Sequence, residues 1–367
     1  MKSLYIHIPF CKQKCFYCSF SVVVGREKDT DEYLENLFKE SMAYKGSDID
    51  TLYVGGGTPG ILAVEQIQKL FFGVRRNFII SPNAEVAIEL NPENITDDKI
   101  NAMLNAGVNR VSVGVQTFDE KYLKYLGRAH NAQDSKNAIT LLRKAGFKNV
   151  SVDLMFGFKD QTPRELEHDL NAVIGLGCDH ISIYALSVDT NSLFKVRQEP
   201  TVGKEKFAKY YFFVNETLKK NGYAQYEVSN YYRLGFASRH NFNYWQGGDY
   251  IGLGVAAHSH ISGHRYWNYS KFSDYMNAIQ NTGRAIEGEE FLDNRTRFKE
   301  TLLLGLRMNA GVNVKAIEKR FNEYLSDEEN TLIAQFVRDG FLERFGDVLA
   351  ATDKGRIVLD EICARLY

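Results

Sequence analysis

Six short strand-like runs separated by helical patterns fill the first half of the chain, and this rhythm constrains the fold more than any other feature. The runs are "SLYIHI" (3–8), "TLYVGG" (51–56), "AEVAIEL" (84–90), "RVSVGV" (110–115), "VSVDLMFG" (150–157) and "HISIYAL" (180–186). In "DEYLENLFKESM", Leu34, Leu37, Phe38 and Ser41 share one helical face behind an acidic start. "NITDDKINAMLNAG" opens on a capping residue and stops at Gly107, and "DSKNAITLLRKAG" closes on Gly146. Strands alternating with helices predict a parallel sheet, and right-handed crossovers make a partial (β/α)6 barrel the expected α/β architecture. Sites in such folds collect at the C-terminal ends of the strands.

The rhythm stops near residue 200, which sets the expected units at 1–200 for the barrel, 201–290 for an aromatic and glycine-rich extension, and 291–367 for a C-terminal module. Helix-like segments at 293–308 and 313–324, then a short hairpin and a last helix, predict a small, mostly helical, winged-helix-like fold for that module.

Of five cysteines, Cys178 and Cys363 lie far from the other three, which argues for a reducing compartment over a disulfide framework. The net charge of −1 gives no reason to expect nucleic acid. The N-terminus reads straight into a strand with no signal-peptide core, and no apolar run approaches the roughly 18 residues of a membrane-spanning helix. A soluble cytoplasmic protein is expected. Peripheral membrane contact, and monomer against homodimer, stay open.

Cys11, Cys15 and Cys18 stand in "YIHIPFCKQKCFYCSF" (5–20) with the spacing C-x3-C-x2-C, on the loop after the first strand. Three thiols cannot pair off as disulfides and are one short of a four-thiolate site. Three thiolates on one loop suit a [4Fe–4S] cluster with one iron open to an exchangeable ligand. Spacing alone also leaves open inert thiols, or zinc with a fourth protein ligand, for which His7 is the nearest candidate.

The cysteine spacing, with an aromatic residue before the last thiol, resembles the radical S-adenosylmethionine (SAM) superfamily, whose cluster loop follows the first barrel strand. The resemblance implies that SAM chelates the open iron and is cleaved reductively to a 5′-deoxyadenosyl radical. The other strand ends carry groups suited to such a ligand. The glycines of "GGGTP" (55–59) allow close backbone approach. Glu89, at the end of the third strand, can accept hydrogen bonds from hydroxyls or an ammonium. Gln116 finishes an apolar run, Arg128 in "LGRAH" can clamp a carboxylate, and Asp153 interrupts an apolar strand where an unpartnered carboxylate would be costly.

Taken in order, "YIHIPFC", "GGGTP", "NP", "GVNRVSVGVQTFD", "LGRAH", "VDLMFG" and "HISIYALS" resemble the oxygen-independent coproporphyrinogen III dehydrogenase family, from about residue 3 to the C-terminal module. The resemblance implies SAM contacts at Tyr5, Gly56, Gly57, Thr58, Glu89, Gln116, Arg128 and Asp153, and cluster ligands at Cys11, Cys15 and Cys18.

The chain departs from the dehydrogenases at Phe20, where the decarboxylating enzymes carry a further cysteine. That pattern resembles the paralogous HemW-type haem chaperones, as does "HNFNYW" (240–245), which matches the H-N-x-x-Y-W motif associated with haem in that branch. The resemblance implies haem ligation by His240, with Tyr244 and Trp245 offering flat faces to the porphyrin, beside the barrel mouth. His258, His260 and His264 in "AAHSHISGH" are the other histidines within reach of a metal. Two functions follow. One is a haem chaperone holding a [4Fe–4S] cluster, SAM and haem and passing haem to an acceptor protein. The other is oxidative decarboxylation of a propionate-bearing porphyrinogen, an activity that Phe20 predicts to be absent.

Overall fold

The computed structural model describes residues 2–367. Each of the six strand-like runs is a strand: β1 (Lys2–Ile8), β2 (Asp48–Gly56), β3 (Ile79–Leu90), β4 (Arg110–Gln116), β5 (Val150–Phe156) and β6 (His180–Ala185). They pair in parallel in chain order, β1 to β6, so every crossover is local. The crossovers carry α1 (Thr30–Ser41), α2 (Val64–Asn77), α3 (Asp97–Asn105), α4 (Ala132–Lys144) and α5 (Pro163–Gly175).

Alternation along the strands separates two environments. Outward residues such as Leu4, Ile6, Val54, Ile88, Val113, Val152 and Ile181 are fully or almost fully buried against the helices in one continuous core. Inward residues are largely polar: Ser3, Tyr5 and His7 on β1, Thr51 and Tyr53 on β2, Glu85 and Glu89 on β3. A parallel strand covered on both faces ordinarily reads as continuously apolar. Here the second face is turned to a polar interior.

The sheet does not close. Past α6 (Lys204–Lys220), the antiparallel pair β7 (Ala224–Glu227) and β8 (Asn230–Tyr232) extends it beyond β6. The chain then returns through a short helix, α7 (Arg239–Trp245), to β9 (Asp249–Leu253), which pairs in parallel with the other flank of β1. From β9 a wing of antiparallel strands runs outward: β10 (His258–Ile261), β11 (His264–Asn268) and β12 (Ile286–Phe291), with α8 (Phe272–Thr282) between the last two. A seventh parallel strand at β9 was not visible in the sequence, because five residues, "DYIGL", are too short and too mixed to show a period.

The C-terminal module has its own core, running from Phe298 to Leu366. Its helices are α9 (Asn294–Leu306), α10 (Val314–Phe321), α11 (Asp327–Arg338) and α12 (Leu359–Leu366). They surround a small antiparallel sheet whose hairpin joins Leu342–Phe345 to Val348–Ala351.

Candidate functional site

One cavity of about 940 Å³ occupies the open barrel. Cys11, Cys15 and Cys18 line it, as do Tyr5, Gly56, Gly57, Thr58, Glu89, Gln116, Arg128 and Asp153. The eleven residues come from the ends of β1 to β5 and the loops that follow, so the topology brings together groups spread over about 150 positions.

The cysteine loop is fitted closely against the "GGGTP" turn. The Gly57 N–H donates to the Ile8 carbonyl at 2.8 Å. A Cβ on Gly57 would lie 2.9 Å from the Cys11 sulfur and 2.8 Å from the Pro9 carbonyl oxygen, so only glycine lets the two loops meet. Gly56 has φ +120°, a conformation side chains disfavour, and donates its N–H to Glu89 Oε2 at 3.2 Å. Cys11 Sγ lies 3.2 Å from Thr58 Oγ1, and Arg128 Nη1 lies 3.5 Å from Cys15 Sγ. Burial pushes the Cys11 thiol up to about 11 and raises Cys18 as well. Thiols so reluctant to ionise become thiolates when a metal centre supplies the positive charge.

The donor set suits a cluster better than a single ion. Among the described residues, no three His, Cys, Asp or Glu side chains converge closely enough to hold one metal ion. Tetrahedral zinc needs sulfurs about 4 Å apart. His7, the candidate fourth ligand for zinc, has both ring nitrogens engaged: Nδ1 with the Tyr5 hydroxyl and Nε2 with the Ser21 carbonyl, each at 2.9 Å.

Two carboxylates face the cavity from β3 and β5, on either side of β4. Glu89 accepts from the Tyr53 hydroxyl at 2.7 Å, and burial, reinforced by the negative charge of Asp153, pushes its carboxyl up to about 7. Asp153 accepts from Ser112 Oγ at 3.1 Å; burial raises it, with the Ser182 and Ser112 hydroxyls opposing. Gln116 sits at φ +70° where the β4–β5 register slips, which turns the strand end toward the interior. Arg128 donates from Nη2 to Asn91 Oδ1 at 2.8 Å and to the Gly114 carbonyl at 2.7 Å. Tyr53, Asn91, Ser112 and Ser182 were missed in the sequence. For Tyr53, Ser112 and Ser182 the signal was the polar residue at every second position of otherwise apolar strands; Asn91 follows β3 in the "NP" stretch.

The "HNFNYW" residues reach the same cavity, which His240, Asn241 and Tyr244 line, but from another side than expected. They form α7, which plugs the floor of the barrel, at the N-terminal ends of the strands, not beside the mouth. Glu85 on β3 anchors its first turn, accepting the His240 N–H at 3.0 Å and the Arg239 N–H at 3.1 Å. His240 is 1% exposed and stacks on Tyr53 at 5.1 Å. Its Nδ1 lies 2.9 Å from Thr51 Oγ1, whose proton goes to Ser3 Oγ at 2.7 Å, so Nδ1 carries the hydrogen. Nε2 is then the acceptor, and the Tyr244 hydroxyl covers it at 2.9 Å.

Trp245 does not share the face of Tyr244. Adjacent helical residues point about 100° apart, and the Trp245 ring lies under the guanidinium of Arg307, which caps the C-terminus of α9, 4.7 Å from its centre. It is absent from the cavity wall, so it offers no face to a ligand there. Of the other histidines in "AAHSHISGH", His258 lines the cavity, whereas His264 is held by Glu289 at 2.8 Å on the outer wing.

Comparison with known proteins agrees with this architecture. Residues 5–173 match the radical SAM superfamily and residues 292–358 the HemN C-terminal domain. The chain is 33% identical to a protein of Bacillus subtilis (strain 168) named heme chaperone HemW, over 99% of this chain and 98% of that one. It is 34% identical to heme chaperone HemW of Escherichia coli (strain K12), over 98% and 96% of the two chains. The solved structure of the Escherichia coli coproporphyrinogen III oxidase HemN superposes with a TM-score of 0.88 at 24% identity, covering 100% of this chain and 89% of that one, a likeness of fold. With its cluster-type loop, its open barrel and relatives matched end to end, the chain belongs to the HemW family of the radical SAM superfamily.

Proposed function

We propose that the protein is a haem chaperone built on a radical-SAM scaffold, working in the cytoplasm and passing haem to an acceptor protein. Cys11, Cys15 and Cys18 would hold a [4Fe–4S] cluster. Tyr5, Gly56, Gly57, Thr58, Glu89, Gln116, Arg128 and Asp153 would hold SAM. The observation that carries the reading is the convergence of these eleven residues on one cavity whose rim also bears Phe20, 65% exposed, where the dehydrogenase pattern has a cysteine. An exposed phenylalanine on a polar cavity suits a large apolar cargo and supplies no thiol for porphyrinogen chemistry.

When bound, the cluster and SAM together supply one-electron reduction of a sulfonium. The chain's own residues then have distinct tasks. Gly56 and Gly57 leave backbone close to the ligand. Glu89 and Asp153 present carboxylates for hydroxyl or ammonium groups, and Tyr53 and Ser112 fix their orientation. Arg128 brings positive charge to the thiol loop while Asn91 and the Gly114 carbonyl hold it in place. Among the described residues no helix is long and apolar enough to cross a membrane.

The test is anaerobic reconstitution followed by parallel assays of haem binding and of coproporphyrinogen III decarboxylation. Haem bound without decarboxylation supports the chaperone. Decarboxylation without stable haem binding supports the dehydrogenase.

A further inference from the structure

Within the haem-chaperone reading, on which this inference rests, the buried position of His240 raises the question of which histidine can meet iron. Axial ligation needs an imidazole with an unspent lone pair on a surface that a porphyrin can reach. His7 and His180, like His240, engage both ring nitrogens within the chain. His130 is buried between the Val115 carbonyl and Glu93. His260 and His168 lie outside the cavity wall, and His264 is held by Glu289. Among the described residues, His258 alone combines exposure, a place on the wall and no hydrogen bond from either ring nitrogen.

We propose that His258, at the start of β10 on the wing beside the open flank of the barrel, is the axial ligand for the haem cargo. The site is built for it. The imidazole stacks on Trp267 at 5.8 Å and 26°, which fixes its plane. Trp267 in turn lies flat over Gly288, where a Cβ would come within 2.4 Å of the indole. On the other side, Gly252 packs directly on the His258 backbone, so no side chain stands between the imidazole and Tyr5 in that row of the sheet. Phe20, exposed and fully apolar, lines the same cavity, as does the exposed Tyr184 ring. Haem held at this flank would touch the SAM cavity without entering the barrel floor, and α7 would keep its hydrogen bonds.

The experiment is titration of the full-length chain with hemin, followed by absorbance and electron paramagnetic resonance. The wild type should show a histidine-ligated ferric haem. His258→Ala should lose at least tenfold in affinity and that signature, and free imidazole should restore the spectrum in His258→Gly. His258→Met should move it toward a thioether ligand, whereas His240→Gln should leave it as in the wild type. An unchanged spectrum in His258→Ala overturns the assignment, whichever other variant alters it. Failure of the wild type to bind hemin would instead remove the chaperone reading and this inference with it.

Discussion

The Tyr244 hydroxyl lies 2.9 Å from His240 Nε2, one helical turn away, and closes the only ring nitrogen of that histidine not already used by Thr51. Burial lowers the His240 pKa to about 3. A histidine whose folded pKa is depressed contributes its full stability above the unfolded value of 6.5, and that contribution is lost as pH falls toward 3. Between pH 6.5 and 4 the loss amounts to roughly 3 kcal/mol. Urea denaturation of the wild type and His240→Gln across this range should show a steeper acid loss in the wild type. Tyr244→Phe should cost about 1–3 kcal/mol at pH 7, the penalty for stranding a buried acceptor. Parallel pH profiles would show that His240 is solvated and that α7 does not seal the floor.

A second expectation concerns metal content. Anaerobically purified protein should hold about four irons and four sulfides per chain, with broad absorbance near 400 nm. Cys11→Ala, Cys15→Ala and Cys18→Ala should each abolish it. Cys178 is buried in the barrel's outer core, and Cys178→Ala should leave iron content unchanged. Stoichiometric zinc in place of iron would sink the cluster assignment.

The carboxyl of Glu89 is pushed up to about 7, so with SAM bound there as proposed, its affinity should depend on pH. Only the ionised form accepts hydrogen bonds from both its oxygens, so affinity measured by calorimetry should fall as pH drops through 7. Glu89→Gln should remove that dependence and weaken binding by about 1–3 kcal/mol, as should Asp153→Ala. Flat profiles with unchanged affinity in both variants would mean that the ligand does not reach these strand ends.

Trp245 provides a test of how α7 is read. The Arg307 guanidinium over its ring also reaches Glu227 at 3.3 Å, so the indole belongs to the joint between the barrel and the C-terminal module. Trp245→Ala should lower stability by about 1–2 kcal/mol in chemical denaturation and leave hemin affinity within twofold of the wild type. A large loss of affinity with unchanged stability would return the indole to the cargo site.

Much of this arrangement was legible in the sequence, for reasons that particular residues make plain. The six parallel strands showed because Leu4, Ile6 and Ile8, and their equivalents, face a dry helical layer and must be apolar. The cavity residues showed because Glu89, Gln116 and Asp153 break apolar runs where hydrophobic packing would not choose them. What stayed hidden depends on contacts between distant segments. Nothing near "HNFNYW" reveals that Glu85, 155 residues earlier, anchors that helix to the barrel floor. Nor does the sequence show that β9 would pair with β1, since its register is set by a partner almost 250 positions away.

The last expectation is negative and rests on Phe20. Its side chain stands 65% exposed on the cavity rim, at the position where the decarboxylating enzymes place an additional thiol. With reductant, SAM and coproporphyrinogen III, the reconstituted protein should therefore form no protoporphyrinogen above a cluster-free control. Phe20→Cys alone should not create the activity, because a reacting propionate must be held within a few tenths of an ångström of its partners by more than one side chain. The same change should weaken hemin binding, since it removes an apolar face from the rim. Robust turnover by the wild type would overturn the chaperone reading and show that the fold performs the dehydrogenase reaction without the extra cysteine.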